Sequence, residues 1–438
     1  MVDRWNYCLL SSVCEEITSG GAAPQGDKYF INGKYPFVRV VDMGNLHGQK
    51  YMLQTRDLLN DVGAEKLRLF PSGTILFTKS GASLLLNQRA ILKVPMYVVS
   101  HIGCLIPNEA IISEWLYYWM KTVDFNIYAH ATTLPSLKLT TIKELRIPVP
   151  TIPEQERIVA WIEELFSQLD AGVETLKKTK AQLAVYRQAV LKEAFEGNLS
   201  AEWRTDHSDC SPARDYESIA IKDPTYKDTS GDENEIRLAL PDNWIKLRMG
   251  DVFSVEVGAT PSRRVPEYWN GAINWVSSGE VRFNRIFSTD ERITEAGLAN
   301  SSTNVQPAGT IMLAMIGEGK TRGQAAILEI SAAHNQNTAA ILVSATPCDS
   351  KYIYYFLQMN YENTRRVGSG NNQKALNKER VRALRFPFTS FAEQHVIVEA
   401  IESRLSVCDS IEQTVDIALQ QAEAMRQSIL KDAFEGKL

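Results

Sequence analysis

Residues 192–199 read KEAFEGNL and residues 431–438 read KDAFEGKL. The offset of 239 holds without a gap back to Glu154-Gln155 against Glu393-Gln394, and 19 of these 46 aligned positions are identical. Asp170/Asp409, Arg187/Arg426 and Leu191/Leu430 are among the identities. Working outward, the same offset sets Asp3-Arg4-Trp5 opposite Asp242-Asn243-Trp244, and Val13 opposite Val252. Between these ends the halves drift by only a few residues. Gly73-Thr74-Ile75 matches Gly309-Thr310-Ile311, and WLYYWM (115–120) matches YIYYFL (352–357). The chain is a tandem duplication whose element order is shared while the sequence between landmarks diverges. That pattern suits one scaffold carrying two different binding surfaces.

The matched segments read as long helices. Apolar residues fall at Ile158, Ile162, Leu165, Leu169, Leu176, Leu183, Tyr186 and Val190. In the second copy they fall at Ile397, Ile401, Leu405, Cys408, Ile411, Val415, Ala418, Ala422, Met425 and Ile429. Steps of three and four make the seam of a coiled coil, and two such helices in one chain favour pairing with each other. Gly197 and Gly436 stand where a helix C-cap sits, and Pro150, Pro153 and Pro387 flank the starts. The other halves contain short β-rich runs broken by Gly, Pro, Asn and Ser, such as PFVRVVDM (36–43) and GTIMLAMI (309–316). A shorter helix around 111–121 has its mate at 349–359. The organisation expected is a mixed α+β domain over 1–150, a helix over 151–199, a linker over 200–240, a second mixed domain over 241–387 and a second helix over 388–438. Within the linker, EWR (202–204) is expected to dock locally, because an exposed tryptophan in a pure linker is uncommon.

Net charge is −5, yet it is segregated. Residues 1–150 hold 15 basic against 12 acidic residues and 241–387 hold 17 against 13, while 151–240 hold 11 against 18 and 388–438 hold 4 against 9. The mixed domains are mildly basic, and the acid lies on the helices and linker. DNA binding draws on local phosphate neutralisation, so the chain average does not exclude it. The acidic helices suit a protein partner better than phosphate.

Basic and amide side chains cluster in loops. In the second half these are Arg263-Arg264 after GATPS, Lys320 and Arg322 in GEGKTRGQ, Arg365-Arg366, and Asn371, Asn372, Gln373 and Lys374. In the first half they are Lys79-Ser80, Arg89, Thr132-Thr133 and Lys138. Arg and Lys suit phosphates and guanine edges, whereas Asn and Gln pair with adenine. AMIGEGKT (314–321) imitates a phosphate loop, but its first glycine is missing and the following RGQAAILEI reads as turn and strand. A nucleotide-driven enzyme using Lys320 and Thr321, or a scaffold with no DNA role, are the rival readings. The six histidines form no catalytic constellation, the six cysteines form no CxxC pair, and no metal site is expected. Apolar runs such as 339–345 are too short to span a bilayer, and acids interrupt the N-terminal apolar stretch, so a cytoplasmic protein is expected.

Several segments carry a family likeness: PTIPEQERIV (150–159), FAEQHVIV (391–398), RQAVLKEAFEGNLSAEWR (187–204) and RQSILKDAFEGKL (426–438). GATPS (258–262), YWNG (268–271) and AMIG (314–317) add to them, whereas GGAAPQ and TKSG in the first half depart from the pattern. Together they resemble the specificity subunit of type I restriction–modification systems across essentially the whole chain. The resemblance implies two target-recognition domains with a double-β-helix-like core and two helices packed as an antiparallel coiled coil. It implies that each domain reads half of a split double-stranded DNA site while the helices set the gap. Two methyltransferase subunits binding S-adenosylmethionine, and restriction subunits using ATP and Mg, are the implied partners. This chain is then expected to perform no chemistry and to hold no cofactor.

Overall fold

The computed structural model describes residues 5–46, 49–128, 136–219, 238–317, 319–366 and 375–438. The chain divides into two compact units, Met1–Lys178 with Val415–Leu438, and Thr179–Thr414. The division falls inside the long helices, so each unit contains a mixed domain and a piece of both.

The first unit is built on a five-stranded sheet. Its strand order is Cys14–Ser19, Ile102–Pro107, Ile75–Thr78, Arg89–Leu92, Tyr51–Met52. All neighbours are antiparallel except the last pair. The second unit repeats this order with Val255–Val257, Thr338–Ile341, Ile311–Ala314, Ala325–Leu328 and Asn284–Ile286. Its last pair is again parallel. The inner strands are buried on both faces, which is why ILFT and IMLA read as continuous apolar runs. A smaller sheet accompanies each: four strands in the first unit, three in the second. A two-stranded ribbon, Asn6–Leu9 with Arg146–Val149 or Ile245–Arg248 with Arg385–Phe388, closes each domain.

One short helix per unit packs on the large sheet, Ser113–Thr122 and Ser350–Met359. The two are anchored alike from different side chains. Trp115 Nε1 donates to Pro148 O at 2.9 Å, and Tyr352 Oη donates to Pro387 O at the same distance. Gly73 and Gly309 adopt φ of +85° and +82°, and their carbonyls accept Ser113 Oγ and Ser350 Oγ. The duplicated Gly-Thr-Ile is thus a left-handed turn tied to the helix start.

The long helices run Ile152–Phe195 and Phe391–Phe434, 44 residues each, or about 66 Å. Each ends in a glycine with positive φ, Gly197 at +75° and Gly436 at +71°. The helix beginning in the first unit ends in the core of the second, where Phe195 meets Tyr352 and Phe356 edge-on at 5.1 and 5.4 Å. The helix beginning in the second unit ends in the first, where Phe434 lies 4.5 Å from Trp115. Ile158 and Ile162 enter the first core, and Ile397 and Ile401 the second. Both ends of each helix are therefore core elements, and there the identities between copies concentrate.

Within the second unit, Arg187 meets Asp409 at 2.6 Å and Glu412 at 3.0 Å, while Lys180 meets Glu412 at 3.5 Å. Partner numbers rise as the others fall, so the helices are antiparallel. The duplicated contact in the first unit joins Arg426 to Asp170, with the guanidinium 4.7 Å from the Phe166 ring centroid. Val190, Cys408, Val415 and Ala422 are buried, and Leu165, Leu169, Leu176, Leu183, Leu405 and Ile429 are half-buried. Three expected seam residues are not: Tyr186, Ile411 and Met425 stand 49%, 40% and 55% exposed. Arg187, Glu412 and Arg426, one position further on, turn inward instead. An arginine stem can cover apolar surface while its head keeps an ion pair, and a step of four replaced the step of three chosen from the sequence.

The segment read as a linker is folded in its first part, with helices at Ala201–Asp206 and Pro212–Ser218. The buried Glu393 carboxylate holds it in place. Oε1 accepts Ser200 Oγ at 2.7 Å and Arg204 Nη1 at 2.6 Å, while Oε2 accepts Trp244 Nε1 at 3.1 Å and the Thr389 hydroxyl. EWR docks because its arginine supplies the counter-charge for a buried acid.

Candidate nucleic-acid interface

Antiparallel pairing in the second unit brings three loops to one end of the large sheet, and a backbone bond ties a fourth segment to them. Ala259 N donates to His334 O at 3.0 Å, Met315 N to Asn337 O at 2.9 Å, and Leu376 N to Met315 O at 2.9 Å. Residues 258–262, 315–323, 335–337 and 375–377 thereby form one surface. Gly258 is required there: a Cβ would sit 1.9 Å from His334 O. Two indoles pin the GATPS turn, Trp275 Nε1 to Ala259 O at 3.1 Å and Trp269 Nε1 to Ser262 O at 3.2 Å.

The basic residues of this end differ in availability. Arg263 lies 3.9 Å over the Trp269 ring and grips Glu291 with both terminal nitrogens. Hydrogen bonding from Arg263 holds the Glu291 carboxyl below the usual carboxylate range. Arg264 and Lys320 are exposed at loop positions. Arg322 is only 9% exposed, with Nη2 donating to Arg365 O at 3.1 Å. Arg365 in turn donates to Gly319 O at 2.5 Å. These two arginines brace the loop before they meet anything outside it. Asn371, Asn372, Gln373, Lys374 and the side chain of Arg366 lie outside the described residues.

The first unit gathers the equivalent end. Gly20 N donates to Ile102 O at 3.1 Å, Lys79 N to His101 O at 3.1 Å, and Leu137 N to Lys79 O at 2.9 Å. Lys79 and Ser80 are half-buried there, and Lys138 is exposed nearby. Arg89 is a correction: at 3% exposure it is turned inward, 3.9 Å from the Phe125 ring centroid. It starts an inner strand that is buried on both faces, so neither face of that strand offers it to solvent. Thr132 and Thr133 lie outside the described residues.

Three polar residues of these ends were missed from the sequence. Ser80 Oγ shares a hydrogen bond of 2.8 Å with His101 Nδ1, and Thr260 Oγ1 donates to Gln336 Oε1 at 2.6 Å. His101 and Gln336 come shortly before core strands, a signal readable only once the strand order is known. The phosphate-loop imitation is settled by its surroundings. Lys320 and Thr321 lie in a turn that leads through Gly323 into the strand Ala325–Leu328, with no helix there to present its amides to a phosphate. Among the described residues no group of three His, Cys, Asp or Glu could hold a metal ion, and no helix is long and apolar enough to cross a membrane.

The family model described as the type I restriction modification DNA specificity domain matches residues 3–184 and 241–421. Among curated proteins, the chain is 25% identical over 320 residues to the type I restriction enzyme MjaIX specificity subunit of Methanocaldococcus jannaschii, covering 72% of this chain and 66% of that one. It is 24% identical over 339 residues to the EcoDI specificity subunit of Escherichia coli, covering 74% and 70%. The chain thus spans about two thirds of the length of these relatives. Its fold matches a chain from a structure on assembly and conformational transition of the type I R-M system, with TM-score 0.73, 16% identity and coverage of 99% and 98%. It also matches the HsdS subunit from Thermoanaerobacter tengcongensis, with TM-score 0.58, 16% identity and coverage of 100% and 98%. With the family model matched once in each half, over most of the chain, this protein belongs to the type I restriction–modification DNA specificity family.

Proposed function

We propose that this chain is the DNA-recognition subunit of a type I restriction–modification complex, each unit reading one half of a bipartite double-stranded target. The observation that carries this reading is the duplication in three dimensions. The same strand order and the same helix ends recur, while the loops at one end of each sheet differ in sequence and in side chains. Recognition loops mounted on a rigid scaffold are a common way to vary specificity without refolding. The exposed Lys320 and Arg264 in one unit, and Lys79 and Lys138 in the other, provide phosphate or guanine contacts.

The repeated faces of the two long helices dock two copies of one methyltransferase subunit, and restriction subunits join that complex. S-adenosylmethionine, ATP and Mg act in those partners, and this chain contributes specificity without catalysis. Mapping methylated adenines in DNA from cells expressing this chain with its modification subunit tests the reading. The expected result is one motif with two defined halves, one adenine in each, and an undefined gap. Absence of new methylation, or a single contiguous motif, would overturn it.

A further inference from the structure

In each unit one arginine near the loop after a central strand is buried. Arg89 is 3% and Arg322 9% exposed, and Nε of each has no hydrogen-bond partner among the described residues. The described residues supply neither with a carboxylate at ion-pair distance, an arrangement that costs stability. Nη2 of each ties the loop to the segment at or after the short helix, at Val123 O for Arg89 and at Arg365 O for Arg322.

In the second unit the tie runs both ways. Arg322 Nη2 donates to Arg365 O at 3.1 Å, on the helix Tyr361–Arg366. Arg365 returns bonds to Gly319 O at 2.5 Å and Tyr361 Oη at 2.9 Å, and the Tyr361 hydroxyl donates to Lys320 O. Lys320 is therefore exposed on a loop whose backbone is held at two consecutive carbonyls. That loop contains Gly317 and Gly323 at φ of +121° and +84°, so without the ties its backbone would range widely. In the first unit Arg89 Nη2 donates to Asn87 Oδ1 at 2.6 Å and to Val123 O at 3.4 Å, and Nη1 donates to Gln88 O at 2.9 Å. Val123 directly follows the helix Ser113–Thr122.

The two arginines do not correspond in sequence. Ile75 pairs with Ile91 and Ile311 with Ile327, which sets Arg89 opposite Ala325 and not Arg322. The same task is met from different positions in loops that have otherwise diverged. A planar guanidinium reaches several carbonyls at fixed angles, which lysine cannot do.

We propose that Arg322 with Arg365 and Tyr361, and Arg89 in the other unit, are positioning residues that fix the recognition loops for base reading. The proposal rests on the DNA-recognition reading above. Tyr361→Phe removes only the hydroxyl that links Lys320 O to Arg365 and leaves the ring on Phe283, 5.2 Å away. Two measurements are made on the full chain, the second with its modification subunit bound. In limited digestion with trypsin, Tyr361→Phe is cut after Lys320 about three- to tenfold faster than the parent, the range of one or two hydrogen bonds. In methylation of targets altered in one half, it loses about three- to tenfold of its discrimination at one half-site and none at the other. Arg89→Lys, which keeps charge and loses the fork, shows the loss at the opposite half-site. Unchanged digestion of Tyr361→Phe overturns the tie itself. Faster digestion with intact discrimination, or equal loss at both half-sites, overturns the positioning role. A parent protein that directs no methylation defeats the recognition reading instead, while digestion still reports on the loop.

Discussion

At the residue scale, several side chains in this molecule are buried with a polar atom to satisfy, and each states a cost and its compensation. Glu393 gathers four donors and Arg89 gathers carbonyls, whereas His334 is 1% exposed with Nδ1 on Thr338 Oγ1 at 2.9 Å and Nε2 unpartnered. Burial pushes its pKa down to about 4. The sign follows from linkage: the unfolded chain binds a proton near pH 6.5 that the folded chain refuses until about 4. Stability is full above pH 6.5 and falls by roughly 3 kcal/mol as pH drops to 4. In His334→Gln this share of the acid-side loss is expected to vanish, read from urea midpoints at pH 7 and 4.5. Equal losses in variant and parent would contradict it.

At the element scale, the duplicated Glu-Gln at the start of each long helix has a physical explanation. Gln155 Oε1 accepts Ile112 N at 2.9 Å and its Nε2 donates to Ala110 O and Pro150 O. Gln394 repeats this with Asp349 N at 3.1 Å and Thr389 O at 2.9 Å. Both are fully buried, so each glutamine fastens the start of a long helix to the start of a short one. Gln155→Ala removes three hydrogen bonds to backbone groups, of which the one to Pro150 O is buried, and should cost on the order of 2 kcal/mol in the first unit. Thermal denaturation checks this, and a parent-like midpoint would count against the fastening. The motif was legible in the sequence as a landmark, but its partners at 110–112 and 349 were not.

At the scale of the whole molecule, the proposed reading makes the helices a spacer. One extra heptad in each, after Thr179 and after Ala418, keeps the facing residues in phase and adds about 10 Å. Under the proposed reading, the gap between half-sites grows by about three base pairs at 3.4 Å each, with both half-sequences unchanged. Methylome mapping of the variant decides this, and an unaltered gap refutes the spacer. Lys320→Ala is expected to weaken one half-site only, by about tenfold, since a direct contact is worth roughly 1–3 kcal/mol. Equal weakening of both halves in the same assay would deny modular reading.

The sequence by itself determined the duplication, the long helices, their caps and the short strands, because these rest on local periodicity and on residues compared with their own copies. It also segregated charge between domains and helices. Only the tertiary structure decided which of the singled-out residues face outward. Arg89, Arg322 and Arg365 read as available cations and are absorbed into braces, since burial depends on strand order and on partners such as Val123 and Gly319 that lie on other elements. The seam moved from Tyr186 and Met425 to Arg187 and Arg426 for a similar reason: a heptad count does not reveal the facing aspartate that makes an inward arginine stable. Helix-end crossing was invisible too. KEAFEGNL and KDAFEGKL are alike because each plugs an aromatic core, and which core each plugs is fixed by packing and not by order along the chain.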